Sequence, residues 1–151
     1  MKIAGSQTLP FPIERAYQLM QDPEVLARAM PGCEGLEKIG DDEYRMKMKM
    51  ALASISGAFE GKVRIADQNP PSTFRLIVEG AGKIGFVKGD GLLQLRPAEA
   101  NPNSTEVSYD GDVQVGGTMA AVGQRLIDGT AKMMIRKFFE KLAEEAAHAS
   151  G

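Results

Sequence analysis

At 151 residues, 43% of them apolar and 25% charged, the chain is long enough to bury a core without disulfides or a structural metal. A net charge of −2 with both signs mixed throughout gives no nucleic-acid signature, and Cys33, the single cysteine, has no partner for an internal bridge. No apolar run reaches the roughly 20 residues of a bilayer-spanning helix, and Met1-Lys2-Ile3-Ala4-Gly5 lacks the apolar core of a signal peptide, so the expected compartment is the cytoplasm.

Lys2 to Leu9 predicts a short strand, closed by Pro10 and Pro12, which donate no backbone N–H to a ladder. In Ile13 to Gln21, the residues Ile13, Ala16, Tyr17 and Met20 share one helical face. A second short helix starts where Asp22 precedes Pro23 in the order of an N-cap and an N1 proline. Val25, Leu26 and Ala29 form its buried side, and Pro31-Gly32 stops it.

From Cys33 the period changes to alternation. Glu34 to Ile39 is a weak strand turned by Gly40-Asp41-Asp42. In the next strand Tyr44, Met46, Met48, Met50 and Leu52 share one face, and Arg45, Lys47 and Lys49 the other. After a tight connection around Ser54 to Gly57, Phe59, Val63 and Ile65 alternate with Glu60, Lys62 and Arg64. Pairing Ala53 with Ala58 sets Lys49 opposite Lys62 and Lys47 opposite Arg64. Like charges so placed are mildly destabilising, which suggests a docking patch for an acidic partner or anionic lipid; the plain alternative is a solvated face eased by Glu60. Pro70-Pro71 precedes a strand from Thr73 to Gly80 with Phe74, Leu76 and Val78 inward. The glycine-rich segment Gly80 to Gly91 leads into Leu93 and Leu95, and Pro97 to Asn103 makes a turn. The last strand, Glu106 to Val115, turns Val107, Tyr109, Val113 and Val115 inward.

Gly116-Gly117-Thr118 then opens a proline-free stretch to Ala149. Met119, Val122, Leu126, Ile127, Met133, Met134, Phe138 and Leu142 recur there at separations of three, four and seven, which predicts one long helix with Thr118 as N-cap. The tail His148-Ala149-Ser150-Gly151 reads as frayed. The order of strand, two short helices, six strands and long helix places residues 1–151 in one α+β domain. Its antiparallel sheet of about seven strands has one face that the helix must cover.

Residues able to carry chemistry are sparse. The only histidine is in the tail and the only cysteine beside a turn, so neither a metal site nor a Ser-His-Asp or Cys-His arrangement is expected. Of the possible carboxylate bases Glu79, Asp90, Asp110 and Asp112, strand parity turns Glu79, Asp110 and Asp112 outward. Gly85, Gly89 and Gly91 surround Lys88, but a phosphate loop needs its lysine just before Ser or Thr at a helix N-terminus. Two readings of these glycines stand: sheet curvature first, and room for a ligand second. Met46, Met48 and Met50 on one strand face Met119, Met133 and Met134 on the helix. That concentration, without tryptophan, suits an adaptable apolar cavity rather than an ordinary gap-filled core.

The element order resembles the helix-grip fold of the START-like (SRPBCC) superfamily, a curved antiparallel sheet wrapped around a long C-terminal helix. Three local runs are similar to the G-subunit family of carbon monoxide dehydrogenase: Pro31-Gly32-Cys33-Glu34, Gly85-Phe86-Val87-Lys88-Gly89-Asp90-Gly91, and Asp112-Val113-Gln114-Val115-Gly116-Gly117 followed by Gly123-Gln124-Arg125-Leu126-Ile127-Asp128-Gly129-Thr130. The similarity covers nearly the whole chain. It implies an accessory protein of a molybdenum-containing hydroxylase-type oxidoreductase, without catalysis of its own or a covalently bound cofactor. It further implies an isoprenoid quinone or other lipid as ligand, and peripheral contact at the inner face of the membrane. Some relatives carry an added segment after the helix, which this sequence does not include.

The expected ligand wall is Met46, Met48, Phe59, Phe74, Leu76, Phe86, Leu93, Leu126, Met133 and Met134, with Phe86 at the mouth. Lys47, Lys49, Lys62 and Arg64 are the expected docking residues. Two other classes stand beside this reading. One is a docking or assembly module with a filled core. The other is a small cyclase- or aromatase-like enzyme, which would need polar residues that the inward sets lack.

Overall fold

The computed structural model describes residues 1–52 and 55–149. In chain order the elements are β1 (Lys2–Leu9), α1 (Ile13–Gln21), α2 (Pro23–Ala29), β2 (Cys33–Gly40), β3 (Glu43–Leu52), β4 (Ile55–Asn69), β5 (Thr73–Gly82), β6 (Gly85–Pro97), β7 (Thr105–Gly116), a 3-10 turn (Gly117–Val122) and α3 (Gln124–Ala149). The strands form one seven-stranded antiparallel sheet in the order β1-β7-β6-β5-β4-β3-β2. Short connections make each step from β2 to β7 a hairpin between neighbours. Only β1, set beside β7, closes a long loop through the sequence.

Local chemistry fixes the entry into this sheet. The Asp22 carboxylate accepts from the Glu24 N–H at 3.0 Å, and Pro23 fills the first helical turn, so α2 starts where the sequence predicts. The buried Thr105 hydroxyl donates to the Phe11 carbonyl at 2.7 Å and pins the segment between β1 and α1 to the start of β7. At the far end, the Arg28 guanidinium reaches both carboxylate oxygens of Glu145 at 3.2 Å and ties α2 to α3.

The apolar interior divides in two. One cluster is filled from all sides: Leu9, Phe11, Tyr17, Met20 and Leu26 from the first third of the chain meet Phe74, Leu95 and Val107 of the sheet and Phe139 and Leu142 of α3. Tyr17 presses edge-on against Phe74, with centroids 5.6 Å apart, and donates its hydroxyl to the Thr73 carbonyl at 3.0 Å. The second cluster, around Met46, Met48, Phe59, Val63 and Met119, has no helix like α1 or α2 beside it.

Two expectations need correction. The C-terminal stretch is not one helix from Gly117 capped by Thr118. Gly123, with φ of +100°, breaks it into the 3-10 turn and α3, and the Gly123 carbonyl accepts the first bond of α3 from the Ile127 N–H at 3.2 Å. The φ value lies where a side chain is disfavoured, so glycine stands there for the bend.

The β3–β4 register also differs. The strands run on to Leu52 and Ile55, so Lys47 faces Glu60, Lys49 faces Ala58, Lys62 faces Arg45 and Arg64 faces Glu43. The hairpin is centred two residues nearer the N-terminus than a turn over Ser54 to Gly57 would be, which slides the pairing by four positions. Ala53 and Ser54, on which the expected pairing rested, lie outside the described residues, as do Ser150 and Gly151 of the tail. The uniformly basic face therefore does not form. Lys47 lies 3.9 Å from Glu60 and Lys62 lies 3.7 Å from Glu43, exposed pairs that interleave the signs.

Because α3 is anchored through its C-terminal half, two leucines on it should behave differently. Leu142 is fully buried and Leu126 is 39% exposed. Leu142→Ala should cost about 2–5 kcal/mol in urea unfolding, whereas Leu126→Ala should cost less than about 1 kcal/mol. Equal losses would show that the helix is not held by that end.

Candidate functional site

Between the two core clusters, under α3, lies a cavity of about 340 Å³. Its floor is the concave face of β3 to β7, with Met46, Met48, Phe59, Leu76, Val78, Val87, Leu93 and Val113. Its roof is Met119 of the 3-10 turn and Ile127, Thr130, Ala131, Met134, Ile135 and Phe138 of α3; Met30 and Pro31, after α2, close one end and Met1 and Ile3 border the other. Seven of the nine methionines, Met1, Met30, Met46, Met48, Met50, Met119 and Met134, line it. Unbranched thioethers adapt to irregular guests, so this wall can close on ligands of different outline.

Polar groups are few. Asp90 and Asp112 border the cavity, but their carboxylates are exposed and satisfied elsewhere, by Arg75 at 2.6 Å and Lys2 at 2.8 Å. The hydrogen bond from Lys2 holds the Asp112 carboxyl below the usual carboxylate range. Asp110 is exposed as well. Thr130 and Tyr109 are the remaining polar side chains of the lining, and the Tyr109 ring stacks on Phe139 with centroids 6.0 Å apart.

Six of the ten expected wall residues come together: Met46, Met48, Phe59, Leu76, Leu93 and Met134. The other four do not. Phe74 is spent in the filled cluster. Phe86 is not in a turn at the mouth: β6 begins at Gly85, its parity turns Phe86 outward, and the ring covers the place a side chain on Gly116 would take, with the Lys88 ammonium 6.0 Å from its centroid. Leu126 and Met133 line a separate outer groove of about 470 Å³ with Val122, Arg125, Gly129 and Thr130. The pairs Leu126-Ile127 and Met133-Met134 are both apolar, and only one member of each can face the sheet; the break at Gly123 sets which. Met50 and Met119, which the methionine bias sets on the facing surfaces although the wall set leaves them out, also line the cavity, and Met30, outside that bias, joins them.

A larger open hollow of about 750 Å³ lies between α2 and α3, lined by Arg28, Cys33, Glu34, Lys137, Glu140, Lys141 and Glu144 among others. Its mixed charges suit solvent better than an apolar guest. The half-buried Cys33 thiol is pushed up by burial, so it is a poor nucleophile at neutral pH. Among the described residues, no three His, Cys, Asp or Glu side chains converge on one point, and no helix is long and apolar enough to cross a membrane.

The family that matches, over residues 5–147, is CoxG, the G subunit of carbon monoxide dehydrogenase. The chain belongs to the CoxG family. A conserved protein from Geobacillus kaustophilus, known from its crystal structure, superposes with a TM-score of 0.93 at 34% identity, covering 99% of this chain and 97% of that one. A START superfamily protein from Mycobacterium smegmatis gives 0.73 at 13% identity over 98% of each chain. The di-domain ARO/CYC protein BexL gives 0.68 at 12% identity, with 97% of this chain covering 46% of that one. Among curated proteins none matches significantly. The last two likenesses show the fold alone: the CoxG chain is START-like, a curved antiparallel sheet gripping a long C-terminal helix.

With the carboxylates turned out, the affinity of this CoxG-family cavity for an uncharged apolar probe should be flat from about pH 5.5 to about pH 7. Titration with the fluorophore N-phenyl-1-naphthylamine measures it. A change beyond about threefold, or about 0.7 kcal/mol, would mean that an ionising group is turned inward.

Proposed function

We propose that this protein is a non-catalytic accessory subunit that reversibly binds an apolar ligand under α3, most simply an isoprenoid quinone, and serves a molybdenum hydroxylase-type partner at the inner face of the membrane. The observation that carries this reading is the cavity's lining: methionine, aliphatic and aromatic side chains with the carboxylates directed away. Family membership supports the partner, since the family takes its name from a component of carbon monoxide dehydrogenase. The quinone is the fit between that electron-transferring partner and an apolar site.

Each buried CH₂ is worth roughly 0.8 kcal/mol, so a single five-carbon prenyl unit contributes about 4 kcal/mol before the costs of ordering. A cavity of about 340 Å³ is near the small end of the range that holds drug-sized ligands, so the far part of a long tail would stay outside it. Around Lys47, Lys49, Lys62 and Arg64 the charges are partly interleaved by Glu43 and Glu60, with Lys62 opposite Arg45 as the like-charge pair that remains, so docking of an acidic partner there rests on the net basic excess of this face. A cyclase reading has only a fold likeness at 12% identity behind it.

Extraction of the purified native protein followed by mass spectrometry should recover an isoprenoid quinone or a related lipid, and adding a quinone should raise Tm. Leu76→Trp, which puts bulk into the floor, should weaken uptake at least tenfold while overpacking costs about 1–3 kcal/mol of stability. If no lipid is recovered and saturating quinone leaves Tm unchanged, the protein is a docking module for its oxidoreductase, and co-purification identifies that partner.

A further inference from the structure

Glycine inside a strand has few physical reasons: a positive φ, a bulge or bend, another backbone pressing close, or a ligand pressing close. The glycines of the sheet sort by these reasons. Gly85 has φ of +141°, and a side chain there would strike the Gly116 carbonyl. Gly61 faces the Glu79 carbonyl, and a Cβ on Gly111 would lie 2.8 Å from the Asp90 carbonyl oxygen and 2.9 Å from the Gly91 Cα. These three are demanded by the backbone.

Gly80, Gly89 and Gly91 are not. None has a positive φ, and the pairing of β4, β5, β6 and β7 runs past them without a register shift. An added Cβ would meet nothing nearer than 3.8 Å at Gly80, 3.8 Å at Gly89 and 3.7 Å at Gly91, ordinary contact distances that show no crowding at a bend. All three line the cavity. Strand interiors disfavour glycine, so the chain keeps three unfavourable residues that neither φ, a bulge nor a close backbone demands.

Their arrangement has a shape. Gly89 and Gly91 are two positions apart on β6, leaving about 7 Å of bare backbone. Gly80 opposes Val87 on β5, diagonal to Gly89, and carries the strip toward Met46. Leu76 and Val78 stand opposite Gly91 and Gly89 on one side, and Val113 opposite Gly89 on the other. A floor of peptide planes between side-chain walls is flat, narrow and without rotamers. A planar ring makes full-face contact with such a floor, whereas a round, flexible chain gains as much from the methionine wall.

Resting on the ligand-binding reading above, we propose that Gly80, Gly89 and Gly91 form the seat of the ligand's planar ring, and that this seat selects ring-headed apolar molecules over straight-chain lipids. The flexible remainder of the ligand runs from Gly80 toward Met46, Met48 and Met30. Alanine at Gly89 or Gly91 raises the floor by one methyl group without crowding the backbone.

The test is equilibrium dialysis of the 151-residue chain, as wild type, Gly89→Ala, Gly91→Ala and the double variant, with 2-methyl-1,4-naphthoquinone as ring probe and 1-dodecanol as chain probe. The variants should bind the ring probe at least tenfold more weakly, in line with the roughly 10–200-fold that one methylene decides in a fitted pocket, and dodecanol within about threefold of wild type. Their Tm should equal that of wild type or exceed it by about 1–4 °C, as for glycine to alanine at an unstrained site. Unchanged ring binding, equal weakening of both probes, or a Tm lowered by more than about 4 °C in both single variants would each overturn the seat. Uptake of neither probe by the wild type would instead overturn the ligand-binding reading itself. Should the double variant fail to fold, the single variants carry the result.

Discussion

One mismatch of dimensions governs this molecule. Seven strands at about 4.8 Å spacing span roughly 29 Å, while a helix with its side chains is about 10–12 Å across. A single helix cannot cover such a sheet unless the sheet curls around it, and even then the concavity is wider than the helix. The remaining space must be filled by something else. On one side α1 and α2 fill it, bringing Phe11, Tyr17, Met20 and Leu26 against Phe74 and Leu142. On the other side no helix comes, and the side chains of Met46, Met48, Phe59 and Met119 line the gap without filling it. The cavity is thus a consequence of covering a wide sheet with one long helix and two short ones at one end.

That division separates stability from function along α3. Its C-terminal half carries Phe139 and Leu142 into the filled cluster and is held to α2 by the Arg28–Glu145 pair. Its N-terminal half roofs the cavity with Ile127, Thr130, Ala131 and Met134 and begins at the Gly123 break, where the backbone turns with nothing packed within 4 Å of the missing side chain. A well-packed end resists opening, whereas an end over a void has fewer contacts to lose. Along α3 the first turns, over the cavity, are therefore held less tightly than the C-terminal end, which acts as the fixed point.

Much of this was legible in the residues, and the failures have physical causes. Asp22-Pro23 marks the start of α2 because both cap chemistry and proline geometry are local. The alternation of Tyr44, Met46, Met48 and Met50 gives the inward face because strand parity needs no knowledge of the partner strand. Register does need it: Lys47 faces Glu60 rather than Arg64 because moving the centre of the turn by two residues moves each partner by four, and no side-chain pattern on an exposed face forbids the slip. Leu126 and Met133 point outward because the phase of α3 is set at Gly123, and apolar pairs at adjacent positions carry no signal for which member turns in. The roles of the glycines were the least legible. Gly85 and Gly89 look alike in sequence, yet one is fixed by its φ and the other could carry a side chain at ordinary contact distances.

The two biases in the lining act at different places and for different reasons. Methionine gives walls that yield, so the cavity can close on a guest without a penalty for imperfect outline; the bare backbone of β6 gives a floor that cannot yield. A site with only the first property would take any apolar molecule, and one with only the second would take very few. If the ring seat proposed above holds, combining them would place discrimination at one end of the ligand and tolerance at the other. With few hydrogen bonds to break, release costs mainly the re-exposure of apolar surface to water, and that cost falls when an apolar acceptor, a membrane or a partner's own site, meets the cavity mouth directly. On the proposed reading, a protein built this way would hold its ligand in water and give it up on contact, as an accessory protein standing between an oxidoreductase and a lipid pool would have to do.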